Sequence, residues 1–148
     1  MTAIGYFGPA SASGSDQALW MPMIKFSLSN AILPEDEHIV ARDLVALIDT
    51  GSDLCRIDER LAETHNLYRT RSLIKSRNEG RDYINSSFVC QIILEDSTKL
   101  HLICAALNLR GDGGAAFDFL FGMDAIRHFD LSVVRSEGKV TLRYLGER

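Results

Sequence analysis

Apolar and polar positions alternate along much of the chain with a period of two, which is the pattern of half-buried β-strands. Ile24, Phe26 and Leu28 alternate with Lys25 and Ser27. Residues 19–28 therefore read as a first strand. Pro22 marks a strand start or an edge, since a proline has no N–H to give to a ladder. Residues 29–37 contain one proline and the acids Glu35, Asp36 and Glu37, and predict an exposed turn. At 44–48 the alternation gives way to an unbroken apolar run, Leu-Val-Ala-Leu-Ile, as expected of a strand buried on both faces. Ile57, Leu61 and Ala62 with charges between them predict one to two turns of amphipathic helix, capped by Asp58 and ending near Asn66.

The second half continues in the same style. Residues 74–88 carry Lys75, Arg77, Asn78, Glu79, Gly80, Arg81, Asp82 and Asn85, a polar hairpin that leads into an apolar strand at 88–94. Glu95 to Thr98 form its turn, and 99–107 the antiparallel partner. A short helix at 124–128 precedes a closing hairpin of 131–134 and 140–144, bent at Glu137-Gly138. The fold class is mostly β.

Composition narrows the picture. A chain of 148 residues, 46% hydrophobic and 24% charged, fits one domain with its own core. Residues 1–17 are rich in Gly, Ala and Ser and lack periodicity, so they read as a flexible arm ahead of a domain at 18–148. A net charge of −4 gives no reason to expect nucleic acid or an anionic membrane as partner. The basic residues Arg69, Arg71, Lys75, Arg77 and Arg81 sit among acids and read as a solvated hairpin. No run is apolar enough to cross a bilayer and the N-terminus lacks a signal-peptide pattern, so a cytoplasmic protein is expected. Cys55, Cys90 and Cys104 are odd in number and widely spaced, neither a disulfide framework nor a zinc spacing, which suits a reducing compartment. The consecutive residues Glu35 to His38 are a solvated loop rather than a metal cluster. Arg110 to Gly114 lacks the Lys-Ser/Thr of a phosphate loop. No metal or cofactor is expected.

The chemistry concentrates where the apolar run stops, at Asp49-Thr50-Gly51-Ser52-Asp53. A strand fixes the position of an acid at its end through the core behind it. Thr50 offers a hydroxyl, Gly51 lets a backbone N–H come close to the carboxylate, and Ser52 can donate to its outer oxygen.

Asp49-Thr50-Gly51-Ser52 after an apolar strand resembles the active-site loop of aspartic peptidases. Leu120-Phe121-Gly122 before a short helix resembles the segment that passes beneath that loop in the retropepsin branch, which includes the retroviral proteases. The resemblance implies a closed acid-protease β-barrel with one or two short helices. With a single Asp-Thr-Gly per chain, it also implies a homodimer with the site on its two-fold axis. Asp49 would be the catalytic residue of a metal-free endopeptidase acting on a peptide or protein. Thr50, Gly51 and Ser52 would shape its loop, with Thr50 bonding to the other subunit, while Leu120, Phe121 and Gly122 support it. The 74–88 hairpin takes the place of the flap, making Arg77, Asn78, Glu79, Gly80 and Arg81, together with Asp53, candidates for substrate binding. By position, 140–144 is the candidate dimer strand. One departure stands out: Met123 sits where retroviral proteases commonly carry an arginine that pairs with the acid here numbered Asp53. Arg56 or Arg127 could replace that arginine, or Asp53 could face a substrate N–H. The rival reading is a catalytically silent module of the same fold that dimerises and binds peptide.

Overall fold

The computed structural model describes residues 2–13, 20–78, 80–111 and 113–146. In chain order the elements are β1 (Thr2–Pro9), β2 (Trp20–Ser29), β3 (Ile39–Ile48), β4 (Arg56–Asp58), α1 (Glu59–Thr64), β5 (Arg69–Asn78), β6 (Arg81–Leu94), β7 (Lys99–Leu107), β8 (Phe119–Phe121), α2 (Met123–Ile126), β9 (Phe129–Val134), a 3-10 turn (Arg135–Glu137) and β10 (Lys139–Tyr144).

The strands β2, β3, β8, β4, β7 and β6 lie side by side in that order, and β6 returns to pair with β2 from Phe26↔Leu94 to Ser29↔Gln91. The sheet is thereby closed into a barrel, which removes the exposed edges an open sheet would present. The alternating side chains fill it: Ile24, Phe26 and Leu28 from β2, Phe88, Cys90, Ile92 and Leu94 from β6, and Phe119 and Phe121 from β8 are all buried in one cluster. Phe26 and Phe119 meet at 5.5 Å between ring centroids.

A second, smaller cluster explains the unbroken apolar run. Ala46 and Ile48 face the barrel interior, while Leu47 packs with Met23, Leu109, Ala115 and Phe117 in a separate apolar group. The strand is covered on both faces, so period two disappears from its sequence.

Three expectations are corrected. Residues 2–9 are not a flexible arm: Thr2–Gly5 pair with β10 and Tyr6–Pro9 with β2, and Ala3 is buried. The small residues there serve close strand approach, since a Cβ on Gly5 would lie 2.3 Å from the Met23 carbonyl oxygen. The stretch 14–19 lies outside the described residues. Second, β10 is paired on one side with β1 and on the other with β9, so 140–144 offers no open edge to a partner strand. Third, Ile57 and Asp58 belong to β4, and the helix begins at Glu59. Asp58 stands at its N-cap position, but its side chain makes no capping bond. Its carboxylate instead accepts the backbone N–H groups of Leu109 (3.0 Å) and Arg110 (3.2 Å), because it is buried against that loop.

Among the described residues no helix is long and apolar enough to cross a membrane, and no His, Cys, Asp or Glu group has the arrangement of a metal site.

Candidate active site

β3 is held against β8 in parallel register from Ala46↔Phe119 to Ile48↔Phe121. The Asp49 N–H continues that pairing by donating to the Phe121 carbonyl at 3.0 Å. Asp49 is thus fixed by the barrel up to its own backbone. The chain then turns: the Gly51 N–H donates to Asp49 Oδ1 at 2.9 Å and the Ser52 N–H to the Asp49 carbonyl at 3.2 Å. A Cβ at position 51 would stand 3.2 Å from the same Oδ1, so glycine keeps the carboxylate close to the loop backbone. The Ser52 hydroxyl does not reach the carboxylate as expected; it donates to the Leu54 carbonyl at 2.7 Å and tightens the turn instead. Thr50 is exposed and its hydroxyl makes no hydrogen bond among the described residues.

Gly122 and α2 pack directly under this loop. A Cβ on Gly122 would lie 2.5 Å from the Leu54 carbonyl oxygen and 2.9 Å from that of Ser52, so only hydrogen fits between the two segments. The Met123 N–H donates to the Ser52 carbonyl (2.8 Å) and the Asp124 N–H to the Asp53 carbonyl (3.1 Å). In return, Asp124 Oδ1 accepts the Cys55 N–H at 2.9 Å and the Cys55 thiol at 2.8 Å, and the Gly122 N–H reaches Cys55 Sγ at 3.3 Å. Burial, with Asp124 beside it, pushes the Cys55 thiol well above its ordinary range, so it stays protonated and acts as a donor.

Asp124 was not singled out in the sequence as a site residue. The signal was an acid immediately after Gly-Met at a helix start. Asp53 is exposed and makes no ion pair among the described residues, and Met123 occupies the position beside it. Backbone bonds and Asp124 tie loop to helix here, with no arginine required.

Above the loop lies a cavity of about 470 Å³. Asp49, Gly51 and Ser52 form its floor, Leu107 and Leu120 an apolar wall, and Arg56 with the hairpin residues Arg77, Tyr83 and Asn85 complete it. The hairpin of β5 and β6 is in register from Leu73↔Ser86 to Asn78↔Arg81, with Gly80 at its tip in a left-handed conformation at φ +76°. Of the residues expected to hold substrate, Arg77 lines the cavity. Arg81 and Asp53 are exposed and do not line it, Gly80 is at the tip, Asn78 ends β5, and Glu79 lies outside the described residues. Tyr83, Asn85 and Leu107 were missed, and Arg56, expected only as a possible partner of Asp53, lines the cavity. Their places depend on strand register and barrel closure, which leave no local mark in the sequence.

A closed barrel in which a strand-end Asp-Thr-Gly loop sits over an apolar-Gly segment and under a hairpin is the retropepsin-like architecture. Comparison with solved structures agrees. A retropepsin-like aspartic protease from Rickettsia conorii matches over 97% of this chain and 94% of its own, with a TM-score of 0.53 and 14% sequence identity. At that identity the likeness shows the fold. Comparison with protein-family models and with curated proteins finds no match.

Proposed function

We propose that this chain is the subunit of a homodimeric aspartic endopeptidase. The observation that carries the reading is the Asp49 carboxylate, held at a barrel strand end by the Gly51 N–H and facing a hairpin-covered cavity large enough for part of an extended peptide. Among the described residues Asp49 is the one acid lining that cavity. Acid/base hydrolysis by carboxylates needs a second, which a second copy would bring across a two-fold axis.

In such a pair the carboxylates cannot both ionise cheaply, so they share one proton and titrate as a unit. The ionised member takes a proton from a water whose oxygen attacks the scissile carbonyl carbon, and the protonated member gives its proton to the carbonyl oxygen. The resulting gem-diol collapses as the amide nitrogen is protonated and the C–N bond breaks, with no covalent adduct on the enzyme. An exposed Thr50 is available to bond to the opposite loop. The three cysteines are buried free thiols, in keeping with a reducing, cytoplasmic setting.

The test is cleavage of a mixed peptide library by wild type and Asp49→Asn, in chelator, from about pH 4 to 7, which spans the carboxylate range. Cleavage by wild type alone supports the reading. Peptide binding without cleavage by either, from a folded dimer, would favour the silent module.

A further inference from the structure

The cavity carries a charge balance opposite to that of the whole molecule. The chain has a net charge of −4, yet among the described residues the lining contains two guanidinium groups, Arg56 and Arg77, against the single carboxylate of Asp49. Sheet register puts one of them on the catalytic face. Leu47 stands opposite Leu120, and Leu120 opposite Arg56, so these three side chains share one face across β3, β8 and β4. Asp49 follows Leu47 by two residues, and both Asp49 and Arg56 line the cavity. Arg77 approaches from above, on the hairpin.

We propose that these two arginines form an acid-selective subsite: the enzyme prefers peptides with an Asp or Glu side chain close to the scissile bond. The inference rests on the peptidase reading given above. Arg77 is available for exchange because its ion pair with Asp82 spans 3.8 Å between two largely exposed side chains, the kind of pair that water and salt weaken most. Arg56 is half-buried and already interacts within the chain. A guanidinium carries five N–H donors in a planar fork, however, so it can hold an internal partner and still present an edge to a carboxylate. The apolar wall of Leu107 and Leu120 lowers the local dielectric, which strengthens a charge-assisted bond there relative to bulk water. Asn85 and Tyr83 carry neutral groups that both donate and accept, so the discrimination of charge lies with the arginines.

The experiment takes peptides that the wild type cleaves and remakes each with Glu, Gln or Lys at every position flanking the bond, reading kcat/KM. At one position Glu exceeds its isostere Gln by about fivefold or more, an effect that shrinks with added salt. Arg77→Gln brings that ratio toward one, and Arg77→Glu shifts preference to Lys. Arg77 is mostly exposed on the hairpin, so both variants fold. Equal rates for Glu and Gln at all positions overturn the inference and leave the peptidase reading standing.

If no peptide is cleaved, binding of labelled Glu and Gln peptides to Asp49→Asn and to its Arg77→Gln double variant separates the two ideas. Tighter, Arg77-dependent binding of the Glu peptide supports the subsite while the peptidase reading fails. Equal binding overturns both.

Discussion

The Asp124 carboxylate accepts both the backbone N–H and the thiol of Cys55, at 2.9 and 2.8 Å, across the gap between the short helix and the Asp49 loop. With the Gly122 N–H that reaches Cys55 Sγ, it links the two segments that position Asp49 through side chains. Asp124→Ala would leave the Cys55 N–H without its partner in a partly buried setting, at a cost of about 2 kcal/mol. Cys55→Ala keeps the backbone bond to Asp124 but leaves the buried Gly122 N–H without its sulfur acceptor, at a similar cost of about 2 kcal/mol. Urea unfolding measures both. In peptide hydrolysis, Asp124→Ala lowers kcat more than it changes KM, because the loop that carries the reacting group shifts while the cavity wall stays. Equal stability of Asp124→Ala and wild type would show that the link contributes nothing.

Gly122 and Gly51 make a contrasting pair. An alanine at 122 meets the Leu54 and Ser52 carbonyl oxygens at 2.5 and 2.9 Å, backbone that cannot step aside, so Gly122→Ala destabilises the fold by about 2 kcal/mol or more. An alanine at 51 meets only Asp49 Oδ1, at 3.2 Å. Gly51→Ala therefore leaves the melting temperature nearly unchanged and lowers activity by displacing the carboxylate. Thermal unfolding and kcat/KM, measured on both variants, check the split.

Alkaline stability follows from the buried thiols. Burial raises Cys55 above the ordinary thiol value of 9.0, and burial with the neighbouring Cys90 raises Cys104. Each folded pKa lies above the unfolded one, so the stabilisation is complete below pH 9 and is lost as pH rises beyond it, when the unfolded chain ionises and the folded one does not. By pH 10 each thiol should account for about 1.4 kcal/mol of lost stability. Cys104→Ala removes one such contribution. Its loss of stability between pH 7 and 10 is therefore smaller than that of wild type, as read by urea unfolding at the two pH values. Identical losses would contradict the assignment.

β1 is an integral strand. It covers one edge of β10, whose Val140 and Leu142 are fully buried, and Gly5 lies tight against Met23. Removing residues 1–9 uncovers that edge and costs on the order of 3 kcal/mol in lost burial and ladder bonds. A truncated protein as stable as the full chain would mean that the segment behaves as a loose arm.

The ease with which the sequence could be read differed from element to element, for physical reasons. The strand Ile24-Phe26-Leu28 and the hairpin around Gly80 were plain because alternation and turn chemistry are local. Asp49 was plain because a strand of core residues ends on an acid followed by Thr-Gly. β1 was hidden: its apolar residues are interrupted by Gly5, which is small because the Met23 carbonyl leaves no room for a Cβ. The role of Asp58 was misread because a capping acid and an acid that holds a distant loop look alike until Leu109 and Arg110 are seen beside it. Arg56, Tyr83 and Asn85 became site residues only through barrel closure, which brings the β5–β6 hairpin and β4 to the same cavity.

The central claim, that two copies of Asp49 act as one catalytic pair, is tested most directly by subunit mixing. Wild type is equilibrated with an equal amount of Asp49→Asn and peptide hydrolysis is compared with wild type alone. If each active site needs one Asp49 from each subunit, random exchange leaves about half of the original activity, since mixed dimers are silent. Activity unchanged by the added variant, or hydrolysis by Asp49→Asn on its own, would contradict a shared aspartate pair.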